Sequence, residues 1–160
     1  MDEVNNSDII KRILYSLITV ASNKTSDDYA WSTIKKLLNE LKNDYDFLKY
    51  VQIGGLESLE NNIDDINIIS HMNVIEKKEL GKAIQDLVDL YKKYLGKKAG
   101  YFFISEFKET LGEKYHLIIK DIGVDLRLID LQNEIYSIDS KKYKIKDDGS
   151  SNIAFVEKDE

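Results

Sequence analysis

The 160-residue chain contains no cysteine and no proline, with only 8 glycines, 2 histidines and 1 tryptophan. Without cysteine, disulfides and thiolate metal sites are excluded. The lack of proline, beside heavy use of Lys over Arg, fits either biased codon usage or a helix-rich fold. No apolar run approaches the ~18–20 residues that cross a bilayer, so no membrane partner is expected. Met1 to Lys11 is polar and acidic rather than a basic segment leading into an apolar one. No secretory signal is read there, and a cytoplasmic address is expected.

What is present is charge and helical periodicity. The formal net charge is −6, which favours solubility and weighs against sequence-independent binding to nucleic acid. It is unevenly spread. Residues 1–74 carry 7 basic against 12 acidic side chains, residues 75–144 carry 14 against 12, and residues 145–160 carry 2 against 5.

The clearest helical signal runs from Asn73 to Gly96 and is read as the element around which the chain is organised. Leu80, Ala83, Ile84, Leu87, Val88, Tyr91 and Leu95 recur at spacings of three and four, with lysines and Asp86 on the remaining arc. Asn73 with Glu76 reads as a capping box, and Gly96 as the stop. A first helix is expected after a cap at Ser7-Asp8, with Ile9, Ile10, Ile13, Leu14, Leu17, Ile18 and Ala21 on a wide apolar arc that carries few charges. Thr25 with Asp28 resembles the cap of a second helix through Trp31, Ile34, Leu38 and Leu41. A short third helix is read over Tyr45 to Val51, before Gly54-Gly55.

Residues 56–72 fit no single period, and the reading there is a helical turn followed by a short extended link at Ile66 to Ile69. Apolar residues from Lys97 to Leu111 and from Tyr115 to Ile119 continue the helical pattern up to Gly123. Tyr136-Ser137-Ile138 and Tyr143-Lys144-Ile145 alternate as a small β hairpin would. Residues 149–160 read as a flexible acidic tail.

An offset of 70 residues sets 7–72 on 77–142 without a gap. Ile10 falls on Leu80, Leu14 on Ile84, Leu17 on Leu87, Trp31 on Tyr101, Leu37 on Phe107 and Leu41 on Leu111. The fold class expected is therefore mainly α: one compact helical domain over residues 1–148, built of two pseudo-repeated halves, with a small C-terminal β hairpin.

No chemical signature emerges. Gly54-Gly55 lacks a phosphate-loop frame, and no GxGxxG follows a strand. His71 and His116 lie in different segments, so no metal site is assigned. Carboxylate pairs at Asp27-Asp28, Glu57 with Glu60, Asp64-Asp65 and Glu106 with Glu109 read as solvated helix surface. Ser32, Ser70 and Ser105 have no nucleophile frame. No catalytic residue and no cofactor is expected. The basic stretch Lys92-Lys93-Tyr94 to Lys97-Lys98 sits at a helix C-terminus, where positive charge is favourable for structural reasons, and nucleic acid is not the expected partner.

The most suggestive feature is aromatic. Tyr91, Tyr94, Tyr101, Phe102, Phe103 and Phe107 crowd the second half and are the candidate interface or pocket residues, although most of the aromatic set serves the core. The helical, motif-free, acidic texture resembles helical regulatory or output domains of prokaryotic signalling proteins. The expected function is non-enzymatic, through protein–protein interaction or self-association as a homodimer. The alternative is a sensor taking a small apolar or aromatic ligand between the halves.

Overall fold

A computed structural model describes residues 4–54, 63–100 and 102–129 of a mainly helical chain with one small antiparallel sheet. The chain divides into two compact units, residues 1–124 and 125–160. Of the second unit only residues 125–129 are described, and there the Asp125 carboxylate accepts from the Leu128 N–H at 3.1 Å. The expected hairpin at residues 136–145 and the acidic tail at 149–160 lie outside the described residues.

Among the described residues, five α-helices carry the first unit: α1 (Asn6–Lys24), α2 (Asp27–Leu41), α3 (Lys77–Leu95), α4 (Phe103–Leu111) and α5 (Glu113–Asp121). The helix positions follow the apolar periodicity, but the caps do not. Asn5, not Ser7, caps α1 by accepting from the Asp8 N–H at 2.9 Å. Ser26, not Thr25, caps α2 by accepting from Tyr29 N–H at 3.2 Å. The Thr25 hydroxyl instead donates back to the Ala21 carbonyl at 2.8 Å, closing the end of α1. The expected capping box of α3 is absent as well. Glu76 occupies the cap position without a side-chain bond, and Asn73 is drawn away to accept from the Ser7 N–H and hydroxyl, each at 2.9 Å. In all three places a neighbouring polar residue had a competing partner.

The short third helix is a 3₁₀ turn over Asp46–Tyr50, and it runs directly into strand β1 (Val51–Ile53). Strand β2 (Ile66–Ile68) pairs with it antiparallel, Val51 opposite Ile68 and Ile53 opposite Ile66. The extended link read at Ile66 is therefore one edge of a two-stranded sheet. A second 3₁₀ turn, Ser70–Val74, leads to α3.

The stretch from Lys97 to Leu111 is not one helix. A 3₁₀ turn at Gly96–Ala99 and Gly100 precede α4, which starts at Phe103. Gly112, at φ +91, separates α4 from α5 by a single residue, a backbone state that L side chains rarely adopt.

The organising element is α1 rather than α3. It packs against α2, α3, α4, α5, β2 and the turns at 70–74 and 96–99. Ile10, Ile13, Leu14, Leu17 and Ala21 are fully buried on it. The reason is visible in the pattern: a wide apolar arc with few charges belongs to a helix surrounded on most sides. The sharp two-faced pattern of α3 marks a helix at the rim, with one face buried and one in water.

At the 70-residue offset α1 falls on residues 76–94, one residue before α3, and the last residue of α2, Leu41, falls on the last of α4, Leu111. The start of α2 falls on the 3₁₀ turn and Gly100 that precede α4, and β1 falls on residues 121–123, the end of α5 and its following turn.

Candidate functional site

The aromatic candidates separate into three groups. Tyr91, Phe103 and Phe107 are fully buried, with 0% exposure, and form part of the core. The Tyr91 ring meets Phe103 edge-on at 6.4 Å between centroids. Tyr94 and Phe102 are at the surface, 39% and 72% exposed. Tyr101 lies outside the described residues. Tyr94 is held locally, its hydroxyl donating to the Glu40 carboxylate and its ring lying 5.7 Å from the Lys36 ammonium. Phe102 immediately precedes α4, so the alternation between it and Phe103 puts one ring in water and the next in the core.

The other chemical candidates are dispersed. His71 stacks on Tyr50 at 5.5 Å between ring centroids, at the end of the sheet where β1 begins and β2 finishes. Ser32 donates to the Tyr29 carbonyl at 3.2 Å, and Glu106 pairs with Lys24 at 2.6 Å. Glu57 and Glu60 lie outside the described residues. Among the described residues no three His, Asp or Glu side chains converge as metal ligands would. In the basic stretch, Lys98 lies 4.7 Å from the centroid of the Tyr29 ring and Lys93 pairs with Asp89 at 3.1 Å. These two lysines of the stretch are engaged within the fold.

One surface cleft, of about 310 Å³, is lined by Tyr45, Lys78, Lys82, Gln85, Asp86, Ile122 and Gly123. Its construction depends on Gly81. A Cβ there would meet the Ile122 carbonyl oxygen at 2.1 Å, so the turn after α5 touches the α3 backbone where no side chain stands. A mid-helix glycine is unfavourable by about 1 kcal/mol against alanine, and here it permits that approach. Lys78, Lys82 and Gln85 then line the cleft from successive turns of α3.

Opposite, the Tyr45 hydroxyl donates to Asp86 Oδ2 at 2.6 Å. Burial, followed by the hydrogen bond to Asp86 and its charge, pushes the Tyr45 hydroxyl well above the usual phenol range. It remains a neutral donor at ordinary pH. The mid-helix glycine was the one trace of this cleft in the sequence; nothing in the spacing paired Tyr45 with Asp86, 41 residues away.

A second polar cluster joins the start of α1 to the start of α3. The buried Asn6 side chain donates to the carbonyls of Met72 at 2.9 Å and Ile75 at 2.7 Å, and its Oδ1 accepts from Lys77 Nζ at 2.6 Å. Every Asn6 side-chain group is used within the fold, so this is a structural joint.

Comparison with protein-family models, with curated proteins and with solved structures found no match.

Proposed function

We propose that this chain is a non-enzymatic helical module that works by self-association, through a surface that includes the exposed Phe102 ring. The observation that carries the reading is the 72% exposure of Phe102 beside a fully buried Phe103. Aromatic rings are enriched in interfaces, and the Phe102 ring is left available for one. A regulatory role in the cytoplasm, and the duplication of residues 7–72 in 77–142, belong to the same proposal. Among the described residues no helix is long and apolar enough to cross a membrane.

The cleft beside α3 bears on the competing reading, a sensor for a small apolar or aromatic ligand. Its lining includes Lys78, Lys82, Gln85 and Asp86, a set that favours a polar ligand over an apolar one.

The test is solution mass against concentration, by light scattering after size exclusion, for the native chain and for Phe102→Ser. The expected result is a dimer that the substitution dissociates, with helical content unchanged and the concentration dependence of the melting temperature lost. A native chain that stays monomeric at every concentration overturns the proposal, as does a dimer indifferent to Phe102→Ser.

A further inference from the structure

Gly112 alone separates α4 from α5. Its φ of +91 favours glycine, yet a Cβ there would meet nothing within 4 Å. The glycine therefore serves the chain reversal and no packing contact. No proline stands in Phe103–Asp121, so nothing else in this stretch forbids one continuous helix. The apolar pattern ignores the break. Ile104, Phe107, Leu111, Tyr115, Ile118 and Ile122 follow one another at spacings of 3, 4, 4, 3 and 4, the single stripe of a straight helix. Two helices that only ever fold back on each other have no need of a register shared across their turn. Of the two, α5 is the more lightly held. Ile119 is the one buried residue on it, against four on α4, and Leu117 is left 50% exposed. Where α5 meets α1, Arg12 lies 5.5 Å from the centroid of the Tyr115 ring, and its buried Nε has no hydrogen-bond partner.

From these features we infer that Gly112 is a hinge through which two copies of this chain exchange α5. With the hinge straightened, α4 and α5 form one helix over Phe103–Asp121. Its stripe seats α4 against its own α1 and carries α5 to the α1 of a second copy. That copy returns its own α5 by the same movement, which closes a twofold dimer. The seat of α5 is thus refilled by an identical helix. The contacts of Arg12 with Tyr115 and of Gly81 with Ile122 are recovered between copies, and what changes is the backbone at residue 112. A one-residue hinge favours such exchange, because only a longer one lets an element fold back freely on its own copy. The inference rests on the reading that the chain self-associates. It asks nothing of Phe102, which stands at the opposite end of α4.

The experiment compares the full native chain with Gly112→Ala and with a variant carrying three glycines inserted after Gly112. Alanine disfavours the positive φ and favours the helix, so it selects the straight hinge. Its dimer dissociation constant, read by light scattering against concentration after refolding, is expected to fall about tenfold or more below the native value. The lengthened hinge is expected to raise that constant about tenfold or more. Native dimer is then refolded from equal parts of isotope-labelled and unlabelled chain, and isotope-filtered NOE spectra read the contacts between copies. The contact of Arg12 with the Tyr115 ring is expected across copies. A native dimer that keeps this contact within each copy overturns the inference and leaves self-association standing. A dissociation constant unmoved by both hinge variants overturns it too. If Gly112→Ala does not fold, the native spectra and the lengthened hinge decide alone. A native chain that stays monomeric at every concentration overturns the self-association reading and this inference together. An exchanged dimer indifferent to Phe102→Ser supports the hinge and removes only the role given to Phe102.

Discussion

The Tyr91 hydroxyl donates a 2.9 Å hydrogen bond to the carbonyl of Ala30, joining α3 to α2 where both residues are fully buried. A buried phenol needs such a partner, and the bond fixes the register between the two helices. Tyr91→Phe keeps the ring against Phe103 and removes the bond; a loss of about 1 kcal/mol is expected in urea unfolding. Leu87→Ala, on the same buried face, should cost about 2–5 kcal/mol. A loss under about 0.5 kcal/mol for Leu87→Ala would show that α3 does not pack as described.

Gly81→Ala reverses the usual effect of that substitution. In an open helix interior alanine gains up to about 1 kcal/mol over glycine. Here the new methyl meets the Ile122 carbonyl oxygen, and the turn after α5 must move. Net destabilisation of about 1–3 kcal/mol is expected from the overpacking. A raised denaturation midpoint would mean the turn yields freely.

Asn6→Ala should be costlier than its position near the N-terminus suggests. It withdraws a donor from the Met72 and Ile75 carbonyls and an acceptor from Lys77 at a buried joint. About 2–3 kcal/mol is expected. Ser7→Ala, whose bonds to Asn73 are exposed, should stay within about 0.5 kcal/mol and serves as the control.

Stability should fall on the alkaline side. Burial, with a smaller contribution from the nearby Tyr29, pushes the Tyr91 hydroxyl above its ordinary value of 10.0, and Tyr45 is pushed the same way. The unfolded chain therefore releases these protons first. Their contribution is whole below pH 10.0 and is lost as the pH rises from there toward the folded-state values. Melting temperature measured from neutral to strongly alkaline pH should decline, less steeply for Tyr91→Phe. Equal slopes in the two proteins would show that Tyr91 titrates freely.

Phe102 and Phe103 offer a paired test of the residue-by-residue placement. Phe103→Ser should cost about 3–5 kcal/mol, since the ring is at 0% exposure, and Phe102→Ser less than about 0.5 kcal/mol. Similar losses for the two would refute the boundary between core and surface at the head of α4.

The helical class, and the apolar residues that line the helices, were legible in the chain itself. Periodicity of three to four depends only on backbone geometry, so Ile10, Leu14 and Leu17, or Leu80, Ile84 and Leu87, identify their buried faces without knowledge of any neighbour. Gly96 likewise ends α3 where expected, at a positive φ of 58° that closes the last turn.

Which helix stands at the centre was decided by the tertiary structure. The amphipathic contrast of α3 is strongest because half of it stays in water, while α1 is centred because nearly every side is covered. The cap residues were also a tertiary matter: Asn73 and Ser7 are both competent caps, and their mutual hydrogen bond leaves Glu76 and Asn5 at the cap positions. The cleft required even more of the fold. Local sequence determines which residues a helix presents, but only packing over long separations brings the Tyr45 hydroxyl to Asp86 and the Ile122 carbonyl to Gly81.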